Sequence, residues 1–222
     1  MTIGDLQQRL GYRFKDAALL TLALTHASAS GTADYERLEF LGDRVLGLIV
    51  AECLYELYPS EPEGDLSKRH TALVRGETLA RAARALDLGE DMILSSAERH
   101  SGGAENDNIL SDVLEAVIGA VYLDGGLDQA RNVLTPLIEA DLQAMSAPPR
   151  DAKTALQEWS QARNLGLPEY TLVERTGPDH APEFVIRVTL HGIPPMEGAG
   201  SSKRVAEKVA AQKMLDHLES LS

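Results

Sequence analysis

Apolar positions recur at helical spacing through the first 145 residues and at strand spacing only beyond them. Leu38, Leu41, Val45, Leu48 and Ile49 share one helical face, and Leu66, Leu73, Leu79, Ala83 and Leu86 form a looser helical set. A helix is predicted over 109–123, with Asp107 or Asn108 as its cap and Gly125-Gly126 as its stop. Pro148 and Pro149 end the helix that residues 134–142 would form. Past these prolines, residues 153–163 read as a short helix, and Tyr170, Leu172 and Glu174 mark a strand by alternation. Phe184, Ile186, Val188 and Leu190 alternate with Val185, Arg187, Thr189 and His191 in a clean period of two. Residues 193–198 make a weaker third strand, which Pro194-Pro195 confines to a sheet edge. Residues 203–218 close the chain as a helix, with Ala206, Ala210, Leu215 and Leu218 available to the sheet. The predicted fold class is multidomain: an all-α domain over 1–146, a linker over 147–151 and a small α+β module of order α-β-β-β-α over 152–222.

Composition supports that division, because 222 residues with 44% hydrophobic content can bury one large core and one small one. Cys53 is the single cysteine and lies in an apolar helical run, so it reads as a buried, reduced thiol and no disulfide forms within one chain. The N-terminus lacks the basic stretch and apolar run of a signal peptide, and no segment is apolar enough to span a bilayer. A cytoplasmic protein without membrane contact is expected. The net charge of −13 argues, as an average, against a polyanion as partner. The average conceals a division. Residues 151–222 hold ten acids and eight Lys and Arg, a net of −2, and the stretch from Lys203 to Lys213 holds four bases and one acid. Phosphate responds to potential within ~8–10 Å, so an acidic chain can still carry a basic face.

Carboxylates are rarely buried unless something compensates them. Glu36, Glu39 and Asp43 stand three and then four residues apart on one helical face, and Asp112 and Glu115 share a face of another helix. Acids so spaced usually form a solvated stripe. Here Asp112 and Glu115 are set among Leu110, Val113, Leu114, Ala116, Val117 and Ile118, which leaves such a stripe little room. Gly42, Gly47 and Gly119 interrupt the same helices. Each costs ~1 kcal/mol of helix propensity against Ala, which makes sense where another backbone must approach closely. If the two acidic faces meet, unit charges 4 Å apart repel by about 4 kcal/mol at an effective dielectric of 20. A hard divalent cation relieves that repulsion. Carboxylate-only ligation selects Mg²⁺, with Mn²⁺ as a substitute, over zinc. The chemistry such a site serves is in-line attack of water on a phosphodiester. His26 ends an apolar helix and reads as structural, while His70, His100 and His217 lie in polar, exposed contexts.

The segment Glu36-Arg37-Leu38-Glu39-Phe40-Leu41-Gly42-Asp43 resembles the signature of the ribonuclease III family. Leu110-Ser111-Asp112-Val113-Leu114-Glu115-Ala116 is similar to the second motif of that family, and Thr25-His26 and Glu63-Gly64-Asp65-Leu66-Ser67 also fit. The resemblance implies an all-α endonuclease domain that works as a homodimer on double-stranded RNA. It implies that Glu39, Asp43, Asp112 and Glu115 are metal ligands, with Asp43 and Glu115 catalytic. Glu36 and Glu63 become accessory acids near the cleavage site, and Phe40 packs at the dimer interface. The implied products are 5′-phosphate and 3′-hydroxyl ends with 3′ overhangs of two nucleotides, and the implied substrates are structured rRNA and mRNA precursors. Tyr35 departs from the pattern, since many members carry Asn there.

Lys203 and Arg204 open a helix, where cations oppose the helix dipole unless an anion arrives. Gly198-Ala199-Gly200-Ser201-Ser202 precedes them, and backbone amides at such a helix start favour phosphate. The α-β-β-β-α order with this junction resembles the double-stranded-RNA-binding domain. Thr154-Ala155-Leu156-Gln157-Glu158 matches its first helix, and Gly177-Pro178-Asp179-His180 the loop between its first two strands. By that resemblance Thr154, Gln157 and Glu158 belong to the face that meets one minor groove, and His180 reaches a second. Lys203, Arg204 and Lys208 then hold phosphates between them. Such domains span about 16 base pairs and read shape. Glu207 departs from the pattern where many of these domains carry a third Lys, which predicts a shallower salt dependence. Trp159 reads as core, since a duplex offers no splayed base.

Two other classes remain open on sequence alone. A non-catalytic RNA-binding protein could use the helical domain only to dimerise, although a retired nuclease would have lost part of the acid set. A small-molecule phosphohydrolase could use the same acids, although a free nucleotide does not need a grip of about 16 base pairs.

Overall fold

A computed structural model describes residues 3–29, 33–149, 151–178 and 182–220. The chain divides into two compact units, Met1–Pro149 and Arg150–Ser222. The first is helical: α1 Ile3–Leu10, α2 Ala17–Ala23, α3 Glu36–Leu57, α4 Glu63–Leu73, α5 Gly76–Ala85, α6 Leu88–Asp91, α7 Ser96–His100, α8 Asp107–Gly125 and α9 Leu127–Ala144. A 3-10 turn at Gly103–Glu105 leads into α8.

Helix α8 is apolar on nearly every side, so it has to be enclosed. Val113, Leu114, Ala116, Val117, Ile118, Ala120 and Val121 are fully buried, and α2, α3, α5 and α9 pack around them. The cap of α8 falls one residue earlier than expected. Asn106 accepts from the Asn108 and Ile109 amides at 2.9 and 3.4 Å. Asn106, Asp107 and Asn108 are all capping types, so composition alone does not rank them. Gly126, at φ 85°, ends the helix where the paired glycines predicted.

The looser set of leucines divides between α4 and α5. Arg69 on α4 is 1% exposed and forks onto Glu61 at 2.7 and 2.8 Å. It also donates to the Met145 carbonyl at 2.7 Å and lies 3.8 Å from the Tyr58 ring centroid, tying α4 to the end of α9. The surface expectation fails for His70, which is half-buried with Nε2 2.9 Å from the Gly47 carbonyl oxygen, and for His217, also half-buried. A Cβ on Gly47 would meet the His70 ring at 3.6 Å, an ordinary contact, so Gly47 marks no backbone crossing.

The second unit comprises α10 Ala152–Gln161, β1 Glu169–Thr176, β2 Glu183–Leu190, β3 Ile193–Gly200 and α11 Lys203–Ser220. The strands form an antiparallel sheet in the order β1-β2-β3, which leaves Pro194 and Pro195 on an edge. Leu156 of α10, Val188 and Leu190 of β2, and Ala210, Ala211, Met214 and Leu218 of α11 make the core, with Trp159 packed against it. Alanines on α11 allow close approach of the sheet. A Cβ on Gly198 would stand 2.2 Å from the Ala210 nitrogen. Among the described residues no helix is long and apolar enough to cross a membrane.

Candidate active site and nucleic-acid interface

Helices α3 and α8 cross backbone to backbone. A Cβ on Gly42 would lie 1.8 Å from the Glu115 carbonyl oxygen, and one on Gly119 would lie 2.4 Å from that of Leu38. Glu39 and Asp43 flank Gly42 on α3. Glu115 stands one turn before Gly119 on α8, and Asp112 about one turn before that. The crossing therefore brings two acids of each helix together. Glu115 registers both burial and its neighbours: its carboxyl is pushed up to about 8 by burial first and then by Asp43, Asp112 and Glu39, against some relief from Arg44. Glu39 is raised by burial and then by Asp112, Glu36 and Asp43. Asp112 is raised by burial, which outweighs the Ser111 hydroxyl and the charge of His26.

As the side chains stand, no group of three or more His, Cys, Asp or Glu among the described residues encloses a metal position. Asp43 is turned onto Arg44 in an exposed pair. The donor chemistry nevertheless suits a hard divalent cation: carboxylate oxygens without sulfur, in a burial that leaves at least one acid protonated near neutral pH.

Glu36 belongs to this neighbourhood through its effect on Glu39 and on Tyr35, the buried residue at the start of α3. Glu63 does not. It is exposed on the first turn of α4 and lines a groove with Ala51, Leu54, Tyr55 and His70. Phe40 is 67% exposed, and Leu48 and Tyr55 continue its face of α3 as an uncovered apolar stripe. The Arg44 guanidinium lies 5.4 Å from the Phe40 ring centroid.

In the second unit Thr154, Gln157 and Glu158 are exposed at helical spacing on α10, and Lys203, Arg204 and Lys208 are exposed at the start of α11. His180 lies outside the described residues. Two ion pairs bind the starts of these helices together, Lys153 to Glu207 at 2.6 Å and Lys208 to Asp151 at 3.2 Å. Asp151 also caps α10, accepting from the Lys153 and Thr154 amides. Burial pushes its carboxyl up, but the Thr154 amide and Lys208 outweigh burial and hold it below the usual range. Sequence reasoning singled out neither Asp151 nor Lys153, because their partners stand more than fifty residues away.

A helical unit that gathers carboxylates, carried with a module basic at one helix start, is the plan of an endoribonuclease for structured RNA. Residues 16–142 match the Ribonuclease-III-like family pattern, and residues 152–218 match the double-stranded RNA binding motif. Ribonuclease 3 of Rhodopseudomonas palustris is 50% identical over 96% of this chain and 80% of its own length. Ribonuclease 3 of Caulobacter vibrioides is 47% identical over 96% and 95%. The nuclease domain of ribonuclease III from Campylobacter jejuni is 46% identical, with a TM-score of 0.61 over 63% of this chain and 95% of its own. The chain belongs to the ribonuclease III family. It is an endoribonuclease acting on double-stranded RNA.

Proposed function

We propose that the chain is a Mg²⁺-dependent endoribonuclease, with Mn²⁺ as a substitute, that works as a homodimer on structured rRNA and mRNA precursors in the cytoplasm. The observation that carries this reading is the glycine crossing of α3 and α8, which holds Glu39, Asp43, Asp112 and Glu115 together at the cost of raising Glu115 to about 8. These four would hold the cation, which when bound supplies an activated water and neutralises the phosphate. To hold it, Glu115 would have to give up its proton and Asp43 would have to leave Arg44. Water then attacks phosphorus, the bond to the 3′ oxygen breaks, and that oxygen takes a proton. The ends are a 5′-phosphate and a 3′-hydroxyl. Two sites acting on opposite strands give 3′ overhangs of two nucleotides.

The exposed stripe of Phe40, Leu48 and Tyr55 supports the dimer. A region involved in dimer formation has been described for the Campylobacter jejuni nuclease domain. Glu63 stands apart from its own acid cluster, so an accessory role for it requires the partner subunit. Thr154, Gln157, Glu158, His180, Lys203, Arg204 and Lys208 are proposed to grip the duplex.

Incubation of the full chain with a long RNA duplex tests the reading. Cleavage should require Mg²⁺ or Mn²⁺, and Glu115→Gln should abolish it while leaving duplex binding within about threefold. Binding without cation-dependent cleavage by the parent protein defeats the proposed mechanism. A monomer in sedimentation defeats the assembly.

A further inference from the structure

Lys153 stands in the first turn of α10, and its side chain is held from two directions. Nζ pairs with the Glu207 carboxylate of α11 at 2.6 Å and lies 4.7 Å from the centroid of the Tyr170 ring on β1. The Tyr170 hydroxyl is buried, which anchors that ring inside the unit. A second pair, Lys208 with Asp151, joins the same two helix starts.

Helical spacing puts this ammonium where the basic face of α11 lacks a cation. Glu207 follows Lys203 by four residues and Arg204 by three, so the three share one face, and Lys208 is the next residue along. Glu207 thus stands among the exposed bases, where its charge alone would oppose a phosphate. Lys153 covers that charge from the neighbouring helix. On α10, Lys153 lies one turn before Gln157 and next to Thr154, both exposed. The helix faces assigned to the duplex therefore meet at one ammonium. Such a group carries three donors. Glu207 takes one and the Tyr170 ring occupies a second direction. The side chain remains 37% exposed, which leaves a donor for a phosphate oxygen.

We propose that Lys153 is a further phosphate contact of the double-stranded RNA binding motif, returning from α10 the cation that Glu207 displaces from the basic face of α11. The inference rests on the proposed grip of Lys203, Arg204 and Lys208. Glu207 and Tyr170 hold the long side chain in place before a duplex arrives, so less rotamer freedom is lost on binding. The competing role is that of a counter-ion, in which Lys153 only neutralises Glu207 and ties α10 to α11. The two roles separate when Glu207 is made neutral. A counter-ion then loses its purpose, whereas a phosphate contact is freed and strengthened.

The test is binding of the full chain to an RNA duplex of about 20 base pairs, between about 0.05 and 0.2 M salt and without divalent cations. Lys153→Gln is made in the parent and in the Glu207→Gln background. Lys213→Gln, farther along α11, reads the general effect of one lost charge. We expect Lys153→Gln to weaken binding about three- to tenfold in both backgrounds, with a log–log salt slope shallower by about one. Lys213→Gln should weaken it less than about twofold, since a charge more than a Debye length from the phosphates is screened. The double variant leaves no unpaired charge at the pair, which guards against misfolding of the single one, and thermal melting checks both. If Lys153→Gln does no more than Lys213→Gln in the Glu207→Gln background, Lys153 is a counter-ion alone and the proposal is overturned. Unchanged slopes in Lys203→Gln and Arg204→Gln would overturn the grip reading instead, which is a distinct result.

Discussion

The acid crossing of the first unit and the helix starts of the second treat charge in opposite ways. The first brings like charges together: Glu39, Asp43, Asp112 and Glu115 meet at a helix crossing whose strongest local cation, Arg44, lies at the exposed rim. The second mixes opposite charges: Lys153 with Glu207 and Lys208 with Asp151 knit the starts of α10 and α11. The same event, arrival of a counter-charge, therefore means different things in each. At the crossing it relieves repulsion already present in the folded chain. At the helix starts it would be an exchange, because a phosphate on Lys208 would displace the Asp151 carboxylate. On the proposed function, affinity for a cation would be built into the packing at the crossing, while affinity for a duplex would be moderated at the helix starts.

The crossing itself offers the largest effect. Gly42→Ala sets a methyl 1.8 Å from the Glu115 backbone oxygen, an atom that cannot swing aside. Helix propensity alone would make the change stabilising by about 1 kcal/mol. We expect instead a loss of about 3 kcal/mol or more, read by thermal or denaturant unfolding, together with loss of cleavage. Gly47→Ala is the internal comparison, because its methyl meets only the His70 ring at 3.6 Å. It should be neutral or slightly stabilising. Equal behaviour of the two variants would show that the close approach does not hold the acids together.

These glycines also show what the sequence can and cannot reveal. Gly42 and Gly119 were legible because glycine in a helix is costly and because acids flank both at helical spacing. Gly47 carried the same local signal for a different reason, a packed imidazole. The family motifs pointed to the α-helical nuclease and its acids, and period-two alternation in β2 with helices on either side pointed to the second unit. Pairings across long separations left no local trace. The Ser28–Ser95 link spans 67 residues and the Lys153–Glu207 link 54. Glu63 shows the complementary case, since its motif predicts proximity to the cluster while one chain alone does not supply it.

The stored repulsion should next appear as a pH dependence of stability in cation-free protein. Glu115 has a folded value of about 8, above its ordinary 4.5, so between those values the folded state binds more protons than the unfolded one. Stability is then greatest at the acid end of that window and falls as pH rises toward 8, by at most about 1.4 kcal/mol per pH unit. Melting temperatures measured from pH 5 to pH 8 should decline for the parent and stay flatter for Glu115→Gln, which has no proton to lose. Mn²⁺ at pH 8 should restore the parent. An identical decline in the variant would place the source outside Glu115.

The smallest effect is expected in the second unit, and it sharpens the contrast most directly. Glu207→Lys both adds a cation and releases Lys153, so duplex binding should tighten about tenfold at 0.15 M salt, with a log–log salt slope steeper by about one to two. Asp151→Asn is the subtler change. Asn caps a helix as well as Asp, so the amides of Lys153 and Thr154 keep their acceptor. What it removes is the charge facing Lys208. Both side chains of that pair are more than 40% exposed, and such pairs contribute little to folding. Melting should therefore hardly move, while duplex affinity rises about two- to threefold and the salt slope steepens by less than one. That separation of binding from stability is what an exchange mechanism requires. If Asp151→Asn leaves the salt slope unchanged, Lys208 does not trade its carboxylate for a phosphate, and the second unit is a structural ion-pair network rather than a moderated grip.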